Sequence, residues 1–112
     1  MMQRALLVMR MEPADAGHVA RAFAEHDKGP QPGEVGVVAR TLFHYNGLYF
    51  HLVEAPDDLE GDLATRIQEK HKDPAFTIVD EVNRYVSPYV EGRRGVHNAR
   101  AQEFYHWKAG RE

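Results

Sequence analysis

The 112-residue sequence contains no cysteine. That absence excludes a disulfide framework, a thiolate metal site and a cysteine nucleophile. No apolar run approaches the roughly 18 residues that a membrane-spanning helix needs, and the run Ala5–Met9 is too short for a signal peptide. The formal net charge of −3 argues against nucleic-acid and anionic-membrane partners, because both favour a basic surface. We therefore expect a cytoplasmic protein with neither partner.

A hairpin is the clearest structural signal in the sequence. Apolar strand patterns cover Val35–Tyr45 and Leu48–Ala55, and Asn46-Gly47 lies between them. This dipeptide is the strongest short hairpin signal, since a type I′ turn needs positive φ at both central residues. The two-residue turn predicts that Leu42 pairs with His51. Arg40 then lies diagonal to His51 on the same face of the sheet.

The remaining elements predict an α+β fold. We expect a first strand at Met2–Met11, helices at Pro13–Asp27, Asp57–Lys72 and Ala75–Tyr85, a loop at Gly92–Asn98 and a last strand at Gln102–Lys108. The order of these elements is the βαββαβ of a ferredoxin-like antiparallel sheet, within a single domain of residues 1–112. Several strands are apolar on both faces. The open face of the sheet therefore predicts a homodimer, a dimeric α+β barrel in which two sheets pack together.

Four polar residues converge in this arrangement. The apolar stripe of the first helix continues to His26 and Asp27, and the hairpin adds Arg40 and His51. A cavity between helix and sheet would bind a flat aromatic or polyketone ligand. We expect its substrate-binding residues to be Phe23, Leu42, His44 and Tyr49. No His-x-His or His-x-x-x-His pair is present, and an adjacent arginine opposes a cation, so we predict no metal site.

Each of these polar residues also has a simpler interpretation. His51 fits a hydrogen-bonded core histidine, and Arg40 fits an edge residue whose stem packs while its guanidinium reaches water. Asp27 fits a residue that only ends the helix, although the helix dipole disfavours a carboxylate there. The other histidines are expected on the surface or on strand faces: His18, His71, His97 and His106.

Stretches along nearly the whole chain match a known family. They are Arg4–Met11, Pro13–Asp15, His18–Ala20, Ala22–Asp27, Glu34–Val37, Arg40–Phe43, Leu48–Ala55, Ser87–Tyr89 and Glu103–Trp107. The most specific are Phe-x-Glu-His-Asp and the following Leu-Tyr-x-His-Leu strand. In these stretches the chain resembles the small polyketide cyclases of bacterial type II aromatic pathways, the tetracenomycin-type ring cyclases.

The resemblance implies a cofactor-free enzyme of antibiotic or pigment biosynthesis. Members of that family have a ferredoxin-like fold, form dimers, and close rings on poly-β-ketones by intramolecular aldol condensation and dehydration. The resemblance implies a catalytic site of His26, Asp27, Arg40 and His51, which act on a polyketide that is free or bound to a carrier protein. The loop Lys28–Gly33 differs from the relatives, which leaves substrate choice open.

The expected roles follow from the chemistry of an aldol closure. Arg40 would stabilise an enolate or phenolate oxygen. His51 is favoured as general acid or base. Asp27 would orient His26 or Arg40, or remove a proton itself.

Three other functions fit the same fold. One is a cofactor-free monooxygenase of an aromatic polyketide. Another is a non-catalytic dimer that binds a pathway intermediate. The third is a dimeric barrel with an unrelated role in stress response.

Overall fold

A computed structural model describes residues 2–110 and shows one four-stranded antiparallel sheet with helices on one face. The strands are β1 (Met2–Met11), β2 (Ala39–Tyr45), β3 (Leu48–Pro56) and β4 (Val86–Pro88). After a 3-10 turn at Pro13–Asp15, the helices are α1 (Ala16–His26), α2 (Gln31–Val35), α3 (Leu63–Lys70), α4 (Ile78–Val82) and α5 (Val96–Ala99). The strand order is β2-β3-β1-β4. This is the ferredoxin-like α+β arrangement that the sequence predicts.

The hairpin has the predicted turn and register. Asn46 and Gly47 both have positive φ, 56° and 82°, and Leu42 pairs with His51. The predicted start of the first hairpin strand at Val35 is wrong, because Val35 ends α2 and β2 begins at Ala39. Gly36 closes that helix with a φ of 97°, at a point where a Cβ would lie 2.4 Å from a methyl carbon of Leu59.

The last strand is not where the sequence placed it. Val86–Pro88 forms β4 on the edge of Met9–Met11, whereas Gln102–Lys108 has no regular secondary structure. Farther along the same edge of β1, the chain makes one isolated bridge between Leu7 and Arg100. Gln102–Lys108 has the alternation of a strand, but it has no neighbouring strand to pair with in residues 2–110.

The other elements differ from those predicted from the sequence mainly in length. The helix predicted at Asp57–Lys72 is α3, which begins at Leu63 after the N-cap Asp62. The helix predicted at Ala75–Tyr85 is the shorter α4, because the chain must turn at once into β4. The segment expected to be a loop at Gly92–Asn98 contains the start of α5.

The core under the helices is divided into two clusters. One cluster contains Met11, Val19, Phe23, Tyr49, Phe76, Ile78, Val82 and Val86. The other contains Ala5, Val53, Ala55 and Leu63. Leu42, His51 and Leu7 are paired side by side across β2, β3 and β1, and this row of residues lies between the two clusters. Leu7 and His51 are buried but belong to neither cluster, so the packing is interrupted at the middle of the sheet.

The opposite face of the sheet carries apolar side chains that belong to neither core cluster. Leu6, Val8, Phe50 and Leu52 are half-buried there, and Phe43 and Tyr45 are exposed. Three aromatic residues of the C-terminal segment are exposed as well: Phe104, Tyr105 and Trp107. Among the helices of residues 2–110, none has the length and apolar character to cross a membrane.

Candidate active site

A cavity of about 330 Å³ fills the gap between the two core clusters. Its floor is β1 and β3, its walls are α1, α3 and α4, and the segment from Arg94 to Ala99 closes one side. Its volume lies within the range of small-molecule sites. A wider groove of about 640 Å³ lies between β1 and residues 97–105. That groove is more open to solvent and contains none of the four predicted catalytic residues, so we place the site in the smaller cavity.

Arg40 is the centre of a hydrogen-bonded chain at one end of this cavity. Its Nη2 and Nε donate to the two carboxylate oxygens of Asp27, at 2.9 and 3.0 Å. Its Nη1 lies 2.9 Å from Nε2 of His51. The guanidinium carbon also lies 4.4 Å from the centre of the Phe23 ring. These contacts fix a largely buried cation in one orientation at the cavity wall.

His51 is buried and neutral in this arrangement. Arginine has no acceptor, so the contact requires Nε2 of His51 to accept from Arg40 and leaves the ring proton on Nδ1. Burial, and then the nearby charge of Arg40, lower the pKa of His51 to about 3. The imidazole therefore stays uncharged at neutral pH.

His26 lines the cavity beside this chain of hydrogen bonds. It is the last residue of α1, and its ring packs edge-on against Phe23 and Phe76, with centroids 6.3 and 5.5 Å away. Burial, and then the charge of Arg40, lower the pKa of His26 below its usual value. A neutral imidazole beside a fixed cation suits a proton acceptor.

The structure brings together most of the residues predicted for the site. His26, Arg40 and His51 line the cavity, and Asp27 reaches it through its ion pair with Arg40. Of the expected substrate-binding residues, Phe23 and Tyr49 line it.

Leu42 and His44 are not among the residues that line the cavity. Leu42 packs against the larger core cluster, and His44 is exposed. Burial falls along β2 toward its turn, because this edge strand runs out beyond the helix layer.

Several polar residues at the cavity were not predicted. They are Gln68, His71, Asn83 and Arg94. His71 was expected on the surface, and it is exposed, but it also lines the cavity and lies 3.4 Å from Asp80. The available signal for Arg94 was the segment Gly92–Arg100, which has three arginines and a histidine and no acidic residue.

No group of three histidine or acidic side chains within residues 2–110 is placed to hold a metal ion. The polar groups of the cavity suit hydrogen bonding to ligand oxygens instead. Arg40 supplies a fixed positive charge, and His26 and His51 supply neutral imidazoles. Such a site can stabilise a developing negative charge on oxygen and accept a proton.

Comparison with known proteins gives a consistent result. Residues 3–108 match the family described as polyketide synthesis cyclase. Tetracenomycin F2 cyclase from Streptomyces glaucescens is 44% identical over 110 residues, which cover 97% of each chain. Polyketide synthase CurG from Streptomyces cyaneus is 33% identical, over 96% of this chain and 98% of the relative.

A solved structure has the same fold. It is that of the tetracenomycin F2 cyclase from Streptomyces glaucescens, described as a type II polyketide cyclase. The TM-score is 0.87 and the sequence identity 42%, over 96% of this chain and 98% of that one.

Proposed function

The chain belongs to the polyketide synthesis cyclase family, and on this premise we propose that it closes an aromatic ring of a poly-β-ketone. The reaction is an intramolecular aldol condensation followed by dehydration. A carbon between two carbonyl groups loses a proton, its enolate attacks a ketone carbon of the same chain, and the new alkoxide takes up a proton. Loss of the hydroxyl group and an adjacent hydrogen as water gives a cyclic enone, and enolisation of the remaining ring ketones gives the aromatic ring, so no oxidant or reductant is needed.

The chain of hydrogen bonds from Asp27 through Arg40 to His51 is the observation that carries this proposal. The Arg40 guanidinium is held by both partners at 2.9 to 3.0 Å and borders the cavity. A cation already fixed in place stabilises an enolate oxygen without reorganisation during the reaction. We assign Arg40 to that role and Asp27 to holding it.

The two histidines, His51 and His26, have different roles in the proposed reaction. The sequence favoured His51 as general acid or base, but its Nε2 lone pair is directed at Arg40, and its pKa is lowered to about 3. We therefore propose that neutral His51 orients Arg40 and offers Nδ1–H as a donor. His26, with its lowered pKa and its ring at the cavity wall, is our candidate for the base that removes the α-proton.

The substrate contacts follow from the cavity lining. Phe23 and Tyr49 would contact the flat rings of the polyketide from one side. Apolar residues of α3 and α4 would enclose it from the other. Such a cavity restricts the conformations that the chain can adopt, which suppresses wrong ring closures.

The working unit that we propose is a homodimer in the cytoplasm. The open face of the sheet carries the exposed side chains of Phe43 (53%) and Tyr45 (71%) beside half-buried Phe50 and Leu52. A continuous apolar face of this kind is unusual for a monomer. A second copy of the same sheet is a self-complementary cover for it.

Product analysis tests the proposed function. The protein is added to a minimal aromatic polyketide synthase, and the products with and without it are compared by mass spectrometry and NMR. We expect a ring pattern that is absent without the protein, and loss of that pattern for Arg40→Gln. If both Arg40→Gln and His26→Gln keep near-full turnover, the residue roles are wrong and the cavity acts only as a template.

Two control measurements separate the other candidate functions. Oxygen uptake during turnover would identify a monooxygenase. Unchanged products together with tight binding of the intermediate would identify a non-catalytic binding dimer.

A further inference from the structure

Arg94 lines the same cavity as Arg40, but from a different segment of the chain. In the sheet order β2-β3-β1-β4, Arg40 is on β2, and the segment that contains Arg94 runs along the far edge of β1, where Arg100 pairs with Leu7. Three strand spacings separate the backbones of residues 40 and 100, roughly 14 Å. The cavity is therefore lined by two cations, Arg40 from β2 and Arg94 from the segment that leads to Arg100.

The two cations differ in what already holds them. The Arg40 guanidinium is paired with Asp27 and His51. The Arg94 side chain is exposed and forms no ion pair or hydrogen bond with any residue in 2–110, although it lines the cavity. Its charge is therefore available to a ligand.

The backbone around Arg94 is nevertheless well anchored. The Asn98 side-chain amide donates to the Arg94 carbonyl oxygen at 2.7 Å. Farther on, Arg100 forms an ion pair with Asp62 at 3.0 Å, and the N–H of Ala101 donates to the Leu6 carbonyl at 2.7 Å. A fixed backbone with an unpaired charged side chain is typical of a residue that binds a ligand.

The surroundings of Arg94 favour a negative group. From Gly92 to Gln102 the sequence has three arginines and a histidine and no acidic residue, in a chain whose net charge is −3. Gln68 and Asn83 line the same cavity and can donate further hydrogen bonds. Asp80 of α4 lies 3.4 Å from His71 and does not itself line the cavity.

We propose that Arg94 binds an anionic oxygen group, a carboxylate or a phosphate, of the molecule that occupies the cavity. This inference rests on the proposed function and specifies its substrate as a polyketide with an acidic group at the rim end. Two sources share this chemistry. One is a carboxylate at the end of a free polyketide, and the other is the phosphate of the arm that tethers a polyketide to a carrier protein.

Binding measurements with matched probes test the proposal. The first pair is anthraquinone-2-carboxylate and anthraquinone-2-carboxamide, and the second is 4′-phosphopantetheine and pantetheine. For Arg94→Gln we expect one charged probe to bind about fivefold more weakly at low salt, and its neutral partner to bind within about twofold of wild type. Weaker binding of anthraquinone-2-carboxylate identifies the carboxylate of a free polyketide as the group that Arg94 binds. Weaker binding of 4′-phosphopantetheine identifies the phosphate of the carrier arm.

Arg93→Gln is the matched control. Arg93 is the adjacent arginine, it is also exposed, and it does not line the cavity. We expect Arg93→Gln to leave both members of each pair within about twofold of wild type. Thermal unfolding of both variants checks that they fold, and we expect no change, since neither side chain has a partner in residues 2–110.

Three results would overturn the inference. One is an equal effect of Arg93→Gln and Arg94→Gln, which would mean a general surface-charge effect. Another is that Arg94→Gln loses as much affinity for the neutral probe as for the charged one. The third is a wild type that binds neither charged probe more tightly than its neutral partner. If the wild type cyclises a polyketide but shows any of these results, the inference fails and the proposed function stands. If no cyclised product forms, the proposed function itself fails.

Discussion

Asp27 and Arg40 are joined by three hydrogen bonds, of 2.9, 3.0 and 3.2 Å, that connect the end of α1 to the edge strand β2. Asp27 is at the carboxyl end of the helix, where the helix dipole disfavours a carboxylate. The charge of Arg40 compensates for that position. The pair therefore fixes how the guanidinium faces the cavity relative to the end of the helix.

Replacing Asp27 with asparagine should separate the orientation of Arg40 from its presence. Asparagine keeps one acceptor oxygen but loses the charge, so the guanidinium is held less firmly. We expect kcat to fall about 10- to 100-fold with a smaller change in KM, because misplacement of a catalytic group affects the transition state most. We expect stability to fall by about 1–2 kcal/mol. Steady-state kinetics and urea unfolding measure the two effects.

Glu25→Gln is the control for this variant. Glu25 is in the last turn of the same helix, and its side chain pairs with Lys28 on the surface. Its removal should leave kcat unchanged. A wild-type kcat for Asp27→Asn would show that Arg40 does not need its carboxylate partner, and a loss in Glu25→Gln would point to helix fraying instead.

His51 should make the protein less stable as the pH falls below neutral. Its pKa is about 3 in the folded chain and about 6.5 when unfolded, so between these values the unfolded state binds more protons. The contribution of His51 to the free energy of unfolding is fully present above about pH 6.5 and falls by about 1.4 kcal/mol per pH unit below that pH. His26, whose pKa is also lowered, contributes with the same sign. Urea unfolding of wild type and His51→Gln at pH 7, 6 and 5 should show a shallower slope for the variant.

The matched control for that slope is His97→Gln. His97 is exposed and lines the wider groove, which contains neither Arg40 nor His51. We expect its replacement to leave the pH dependence unchanged. The same slope in His51→Gln as in wild type would mean that His51 is reached by water and titrates near its ordinary pKa.

Tyr49→Phe should leave the protein as stable as wild type or stabilise it by about 1 kcal/mol. Tyr49 is 3% exposed, and its hydroxyl has no hydrogen-bond partner in residues 2–110. Burial also raises the pKa of this phenol. Removing an unsatisfied buried hydroxyl without changing shape relieves a desolvation cost. Tyr105→Phe, at a site 74% exposed in the C-terminal segment, should change stability by less than about 0.5 kcal/mol.

Thermal and urea unfolding of the two tyrosine variants give the comparison. A loss of more than about 1 kcal/mol in Tyr49→Phe would show that the hydroxyl is satisfied in solution, by an ordered water for example.

The residues that the sequence could locate are those fixed by local geometry. Asn46-Gly47 determines the turn, the turn determines the register, and the register places Arg40 beside His51. The helix period then carries His26 and Asp27 to the same end of the cavity. Each step spans few residues, so the convergence could be derived before any tertiary contact was known.

The features that escaped prediction depend on contacts between distant segments. Gln102–Lys108 and Val86–Pro88 both have strand character, and the choice between them depends on which one reaches the edge of Met9–Met11. Periodicity does not contain that information. Arg94 likewise becomes part of the cavity only because Arg100 and Ala101 attach its segment to β1.

The open face of the sheet should hold two copies of the chain together, and Phe43→Lys should separate them. Phe43 pairs with Phe50 in the hairpin and is 53% exposed on the face away from the helices. In a face-to-face dimer a lysine there would be buried without a partner, which costs several kcal/mol per site. We expect wild type to have twice the 12.8 kDa mass of one chain in light scattering at micromolar concentration. Phe43→Lys should give the single-chain mass with an unchanged far-UV circular dichroism spectrum.

Val90→Lys is the control, because Val90 is equally exposed at 53% but follows β4 in a loop rather than lying on the sheet. It should remain a dimer, which would show that the effect of Phe43→Lys comes from the sheet face and not from an added charge. A single-chain mass for wild type would contradict the proposed dimer outright. A dimer that survives Phe43→Lys would place the interface elsewhere, and the exposed aromatic residues Phe104, Tyr105 and Trp107 would then be the next surface to substitute.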